Sequence, residues 1–312
     1  MSDVPIPLPF LDLANKLYHH EVTQADLASL LIHLPLLDER TLQEIGASAS
    51  GISQTQPRLA WQLCHLAYKT SVLQNCPLYL RSLAAFQLAR AAATWEQPQK
   101  LAAAIKIARK GFGSLHQPGW LAACNWVAAS LPLAQNDFAA EEVALKEALQ
   151  GLQQANMEKD SYLCRLDLAW QQNLLGMQTE AENNLRECEG YFAEHSLPLL
   201  LARCWRLRSR IFIKAGQFAQ AAQLVEQARS VYQEDNSLLG LAYLARDEGI
   251  LYLYSTTDYE KTHTSLETAA SLLKQCELAL SRGEVLTYLA SLNLQVGNLN
   301  EAKQLTSRAK NI

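Results

Sequence analysis

The feature that most limits what this 312-residue chain can fold into is a repeat of 40 to 41 residues. Turn-like stretches, each followed by a run periodic in Ala and Leu, recur at QNDFAAEEVALKEAL, LGMQTEAENNLRE, AGQFAQAAQLVEQA, TTDYEKTHTSLETA and VGNLNEAKQLTSRA. Their marker residues are Phe138, Gln178, Phe218, Tyr259 and Leu299, separated by 40, 40, 41 and 40 positions. Counting back by 40 and then by 41 reaches Pro98 and Pro57, and proline suits the first turn of a helix. A chain with this period is one supersecondary unit copied along a line, because a single copy cannot bury its apolar face alone.

Each period holds two segments with helical spacing. The second follows the marker and places apolar or small residues on one face, as in Ala221, Leu224, Val225, Ala228 and Val231. The first, as in Pro198 to Ala215 or Leu238 to Tyr254, is more continuously apolar, as befits a helix covered on both flanks. Gly176, Gly216 and Gly297 stand just before the markers, where glycine ends a helix in the left-handed conformation. The expected fold is all-α: antiparallel helix pairs stacked as a right-handed solenoid, with turns near Gln97, Asp137, Gly176, Gly216, Thr257 and Gly297. Residues 1–52 are expected to form a helical cap, with helices over 8–20, 23–34 and 38–46 and Thr23 as an N-cap. A loop is expected over Ser48 to Gln56. Residues 53–312 then carry about six and a half repeats.

The units resemble tetratricopeptide repeats. The resemblance rests on Leu and Ala side by side in the first helix (Leu88 and Ala89, Leu168 and Ala169, Leu289 and Ala290) and on Leu175 and Gly176, or Val296 and Gly297, at its end. It rests also on the recurring Ala181, Ala221 and Ala302 of the second helix, and it covers residues 53 to 312. The departure is length, since the common unit has about 34 residues. Units near 40 are similar to those of bacterial regulators of the maltose-activator type and of the helical arms of CHAT-type proteases. The resemblance implies a protein-binding scaffold with a concave groove lined by first helices. The alternative it implies is the regulatory or sensor arm of a larger enzyme or transcription activator.

Composition narrows the function further. With 27 Lys and Arg against 31 Asp and Glu the net charge is −4, so no nucleic-acid partner is expected. No signal-like start or membrane-length apolar run is evident, and seven cysteines without a C-x-x-C pair suit a cytoplasmic protein without disulfides. No phosphate loop, dinucleotide turn, zinc motif or nucleophile signature is present, so no enzyme activity, catalytic residue, metal or cofactor is expected. Cys124, Cys164 and Cys204 recur at intervals of 40 in the first helix and are expected to be buried packing thiols.

One constellation stands out. The resemblance places the groove side of a first helix at positions 2, 5, 9 and 12 to 13 of the unit, here Arg203, Arg206, Arg210 and Lys214. Spacings of 3, 4 and 4 put these four cations on one helical face. Arg246 falls near place 5 of the next unit, Arg90 takes place 9 two or three units earlier, and Phe86, Trp126 and Trp170 take such places in the N-terminal units. Two readings stay open. The cations form a solvated face or pair with Asp167, Asp247 and Glu248 on neighbouring units, or they bind an acidic or carboxylate-terminated peptide. Under the second reading, Arg206→Glu abolishes binding without changing the thermal midpoint. At the other end of the chain, the stripe Leu299, Ala302, Leu305, Ala309 and Ile312 is expected to support self-association.

Overall fold

The computed structural model describes residues 8–129, 137–255 and 258–311, which form sixteen helices and, among these residues, no strand. In order they are α1 (Leu8–Tyr18), α2 (Gln24–Leu31), α3 (Glu39–Ile52), α4 (Pro57–Leu73), α5 (Leu78–Thr94), α6 (Pro98–Ser114), α7 (Pro118–Ala128) and α8 (Phe138–Gln154). There follow α9 (Glu158–Leu174), α10 (Gln178–Glu194), α11 (Pro198–Lys214), α12 (Phe218–Glu234), α13 (Leu238–Ser255), α14 (Tyr259–Gln275), α15 (Ala279–Gln295) and α16 (Leu299–Lys310). All seven repeat markers, from Pro57 to Leu299, are the first residues of helices, and these are the second helices of the pairs.

The chain divides into two compact units, residues 1–164 and 165–312, with the boundary inside α9. In the first unit α3 to α8 pack each on the next, α1 and α2 lie on α4, and the first helices α3, α5 and α7 touch one another. In the second, α10 to α16 pack in the same sequential way and α11 also lies on α13. Local contacts of this kind make a stack of helix pairs. The core between α11, α12 and α13 shows its composition: Ala202, Val225, Ala228, Tyr232 and Leu244 are buried together, with Trp205 and Leu241 packed against them. Gly240 is required here, because a Cβ at that position would lie 2.3 Å from the Tyr232 ring.

The turns explain why the period is so regular. Left-handed residues recur at Asn75, His116, Asn156, Ser196, Asn236 and Glu277 between pairs, and at Glu96, Gly176, Gly216 and Gly297 within pairs. Each is followed by a residue whose N–H closes a Schellman bond to the carbonyl five positions earlier, such as Leu197 to Phe192 at 2.9 Å and Gln217 to Phe212 at 2.8 Å. The next helix begins one residue later, except at α5, where Pro77 stands between Cys76 and Leu78. Asp137 caps α8 through the Ala140 N–H at 3.1 Å, whereas the turn expected near Thr257 lies outside the described residues.

Gly216, at φ +73°, has open space where a Cβ would stand. Gly216→Ala should therefore cost only the left-handed conformation, about 1–2 kcal/mol in a urea titration. A cost near zero would mean that the turn relaxes.

The N-terminal segment differs from the expectation. Thr23 does cap α2, accepting from the Asp26 N–H at 3.3 Å. The loop expected over Ser48 to Gln56 is instead helical through Ile52. Its serines bond back to their own helix, Ser48 Oγ donating to the Glu44 carbonyl, while Leu42, Ile45 and Ala49 are buried. The helix is also tied to α5, where Gln87 Nε2 donates to the Leu42 carbonyl at 2.7 Å. Because α3 packs on α4 and starts 39 residues before α5, it stands as the first helix of a pair.

Cys124, Cys164 and Cys204 are fully buried outside any disulfide, each on a first helix, as the 40-residue spacing implied. Burial pushes the Cys124 thiol up to about 12.

Candidate functional site

The four-cation face of α11 forms as the spacing predicts, and each cation meets a group on a neighbouring first helix. Arg203 donates to Asp167 of α9 at 2.5 Å, and Lys214 Nζ donates to the Asn173 carbonyl of α9 at 2.5 Å. Arg206 donates to Asp247 Oδ2 of α13 at 2.7 Å, and Arg210 reaches Asp247 Oδ1 at 3.4 Å. Arg246, also on α13, donates through Nε to Asp247 Oδ1 at 3.1 Å and through Nη1 to Glu284 of α15 at 3.0 Å. One carboxylate is thus shared by three guanidinium groups.

Burial makes that arrangement consequential. Asp247 is 0% exposed, and the side chains of Arg206, Arg210 and Arg246 are 8%, 10% and 5% exposed. Among the described residues Asp247 pairs with Arg206, Arg210 and Arg246, Glu284 pairs with Arg246 and Asp167 pairs with Arg203, so these four arginines and Lys214 gather around three acids. Aromatic faces take up part of the load. The Arg210 guanidinium lies 4.3 Å from the centre of the Trp170 ring, and Arg206 and Arg246 lie 5.3 and 5.2 Å from that of Tyr243. The Tyr243 and Ser281 hydroxyls, 3.1 Å apart, tie α13 to α15 beside the cluster.

The ionisation of these groups records the imbalance. Burial alone would raise the Asp247 pKa, but Arg246, Arg210 and Arg206 outweigh it and hold the carboxyl below its ordinary value. Burial would lower Arg246, yet Asp247 and Glu284 hold it above. Arg210 goes the other way: burial, joined by repulsion from Arg246 and Arg206, lowers it in spite of Asp247. Lys214 is likewise lowered, by burial and by Arg210. The positive charge is therefore least compensated at Arg210 and Lys214.

The sequence-derived residues are divided between the two units. Arg203, Arg206, Arg210, Lys214, Arg246 and Trp170 belong to the second unit and lie on consecutive first helices. Trp126 belongs to the first unit, where Arg90 stands 5.7 Å from its ring centre. Glu248 is not part of the cluster, since it pairs with Arg229 of α12. Arg206 is not an exposed charge, because α13 covers it and Asp247 binds it, so its reversal cannot leave stability unchanged.

The sequence reading does not reach Glu284, Tyr243 or Tyr288, the last of which lies on α15 close enough to feel the charges of Glu284, Arg210 and Arg246. Arg203, Tyr243 and Glu284 are 40 and 41 residues apart, so carrying the repeat count one unit further reaches the acid.

A shallow groove of about 380 Å³ lies elsewhere, between α15 and α16, lined by Leu294, Ala302, Lys303, Thr306, Ser307 and Lys310. In the C-terminal stripe Ala302 and Leu305 are buried and Leu299 is exposed, while Ile312 lies outside the described residues. Among the described residues no helix is long and apolar enough to cross a membrane, and no group of three or more His, Cys, Asp or Glu is placed to hold a metal ion.

No family model matches the chain, and no curated protein matches it in sequence. Solved structures do match in shape. A Rap protein complexed with Competence and Sporulation Factor superposes with a TM-score of 0.70 at 16% identity, covering 97% of this chain and 79% of that one. The fold is that of a tetratricopeptide-type helical-repeat protein. The Rap conjugation gene regulator of plasmid pLS20, in complex with the Phr* peptide, gives 0.67 at 14% identity over 86% of this chain and 72% of that one. Aspartyl phosphate phosphatase F from Bacillus subtilis gives 0.60 at 14% identity over 97% and 79%. At these identities the likeness is one of fold.

Proposed function

We propose that the chain is an interaction scaffold whose first-helix face in the second unit docks a peptide or partner segment bearing a carboxylate. The observation that carries this reading is the uncompensated charge: three buried guanidinium groups share one buried carboxylate, with Lys214 at the edge. Guanidinium offers planar, two-pronged donation that suits a carboxylate, and Trp170 and Tyr243 supply apolar surface beside it. The pLS20 regulator, which shares the fold, was captured with a peptide, and this supports a peptide as the ligand. The exposed edge of Leu294, Val296 and Leu299 supports self-association as a separate property.

Lys214 gives the cleanest test, because it is exposed and, among the described residues, its hydrogen bond goes to a backbone carbonyl. A pool of random pentapeptides with free C-termini serves as the probe. Lys214→Glu should weaken retention of the pool about tenfold, the effect of one charge-assisted bond. The thermal midpoint should hardly move, since an exposed charge contributes at most about 1 kcal/mol. Undiminished retention by the variant would overturn the reading.

A further inference from the structure

The two acids of the cluster are not equivalent. Asp247 is fully buried and held by three guanidinium groups, so it cannot leave without stranding them. Glu284 is 43% exposed and pairs with Arg246 at 3.0 Å, so its carboxylate can turn into water at little desolvation cost. Arg246 cannot follow, because its side chain is 5% exposed and fixed by Asp247. If Glu284 departs with nothing in its place, a buried donor is left without its acceptor, which is costly. If another carboxylate arrives, the donor is satisfied again.

We infer that Glu284 is an internal stand-in for the ligand's carboxylate, and that docking is an exchange in which the ligand acid takes Arg246 Nη1 while Glu284 turns to solvent. This rests on the proposed docking face and adds to it the residue that sets selectivity. The exchange favours a peptide whose acid stands next to an aromatic or large apolar residue, because the Tyr243 ring centre lies 5.2 Å from the Arg246 guanidinium and that of Trp170 6.0 Å from it. It disfavours neutral peptides, which would displace Glu284 and leave Arg246 Nη1 without that acceptor. Selectivity thus comes from the cost imposed on the wrong ligand as well as from contacts to the right one.

Glu284→Gln removes the competing charge and keeps an acceptor of the same length. Retention of the free-acid pentapeptide pool should rise about tenfold relative to the unaltered protein. The same pool with amidated C-termini and no acidic side chains should show no gain. Glu284→Asp, which keeps the charge on a shorter arm, should fall between the two. Glu301→Gln, an exposed acid of α16, should change nothing. Equal retention of the free-acid pool by the unaltered protein and Glu284→Gln overturns the stand-in role and leaves the docking face in place. An equal gain for the amidated pool overturns it too, since Glu284 would then act only through general surface charge. If neither protein retains free-acid peptides, the docking face itself is wrong.

Discussion

Asp247→Ala should lower the stability of the protein by about 3–5 kcal/mol in a urea titration, the range for breaking a buried ion pair from one side. The cost is not that of one lost contact. Arg206, Arg210 and Arg246 would face each other with their shared anion gone, two of them nearly inaccessible to water. The acid dependence follows from the same charge. The folded-state pKa of Asp247 lies below its ordinary value of 3.8, so its contribution is present above that value and is lost as pH falls through the lowered one. The unaltered protein should therefore lose stability in the acid range below pH 3.8, and Asp247→Ala should lack that component. A loss under about 1 kcal/mol at neutral pH would show that the arginines find other partners or spread into solvent.

Arg206→Glu should be at least as damaging, by about 4 kcal/mol or more. It sets a second carboxylate against Asp247 in a place that water does not reach, which combines a lost pair with a buried like-charge repulsion. The variant should be largely unfolded well below the midpoint of the unaltered protein, as followed by helical circular dichroism. Read with Lys214→Glu, it separates two duties on the α11 face: Arg206 holds helices together and Lys214 meets the ligand. A folded Arg206→Glu with an unchanged midpoint would contradict the burial of that face.

Most of the fold is legible in the sequence because the repeat marks places with physical meaning. The markers Pro57, Pro98, Phe138, Gln178, Phe218, Tyr259 and Leu299 all begin helices, and Gly176, Gly216 and Gly297 all adopt positive φ. The turns between pairs are harder to see. There the left-handed residue is His116 or Ser196 as readily as asparagine, since the Schellman bonds and the packing on either side impose the conformation whatever the residue. The helix through Ser48 to Ile52 escaped for the opposite reason. Its Ser and Gly look like a loop, but hydroxyls bonded to their own helix and burial of Ala49 keep it helical.

At the site, helical spacing placed the four cations of α11 on one face, but spacing along one helix does not reveal depth. Arg206 is buried and Lys214 is exposed because α13 covers one and leaves the other at the helix end. Helix-to-helix register was the missing quantity, and it is what brings Asp247 beneath three arginines and Glu284 onto Arg246.

The central claim is that the ligand lies on the first helices of the second unit. The most direct test is photocrosslinking with a benzophenone-bearing free-acid peptide recovered from the pentapeptide pool, with the adducts located by mass spectrometry. The account predicts adducts on α9, α11, α13 and α15, around Trp170, Lys214, Tyr243 and Tyr288. Adducts confined to α10, α12, α14 and α16, or to the first unit, would contradict it.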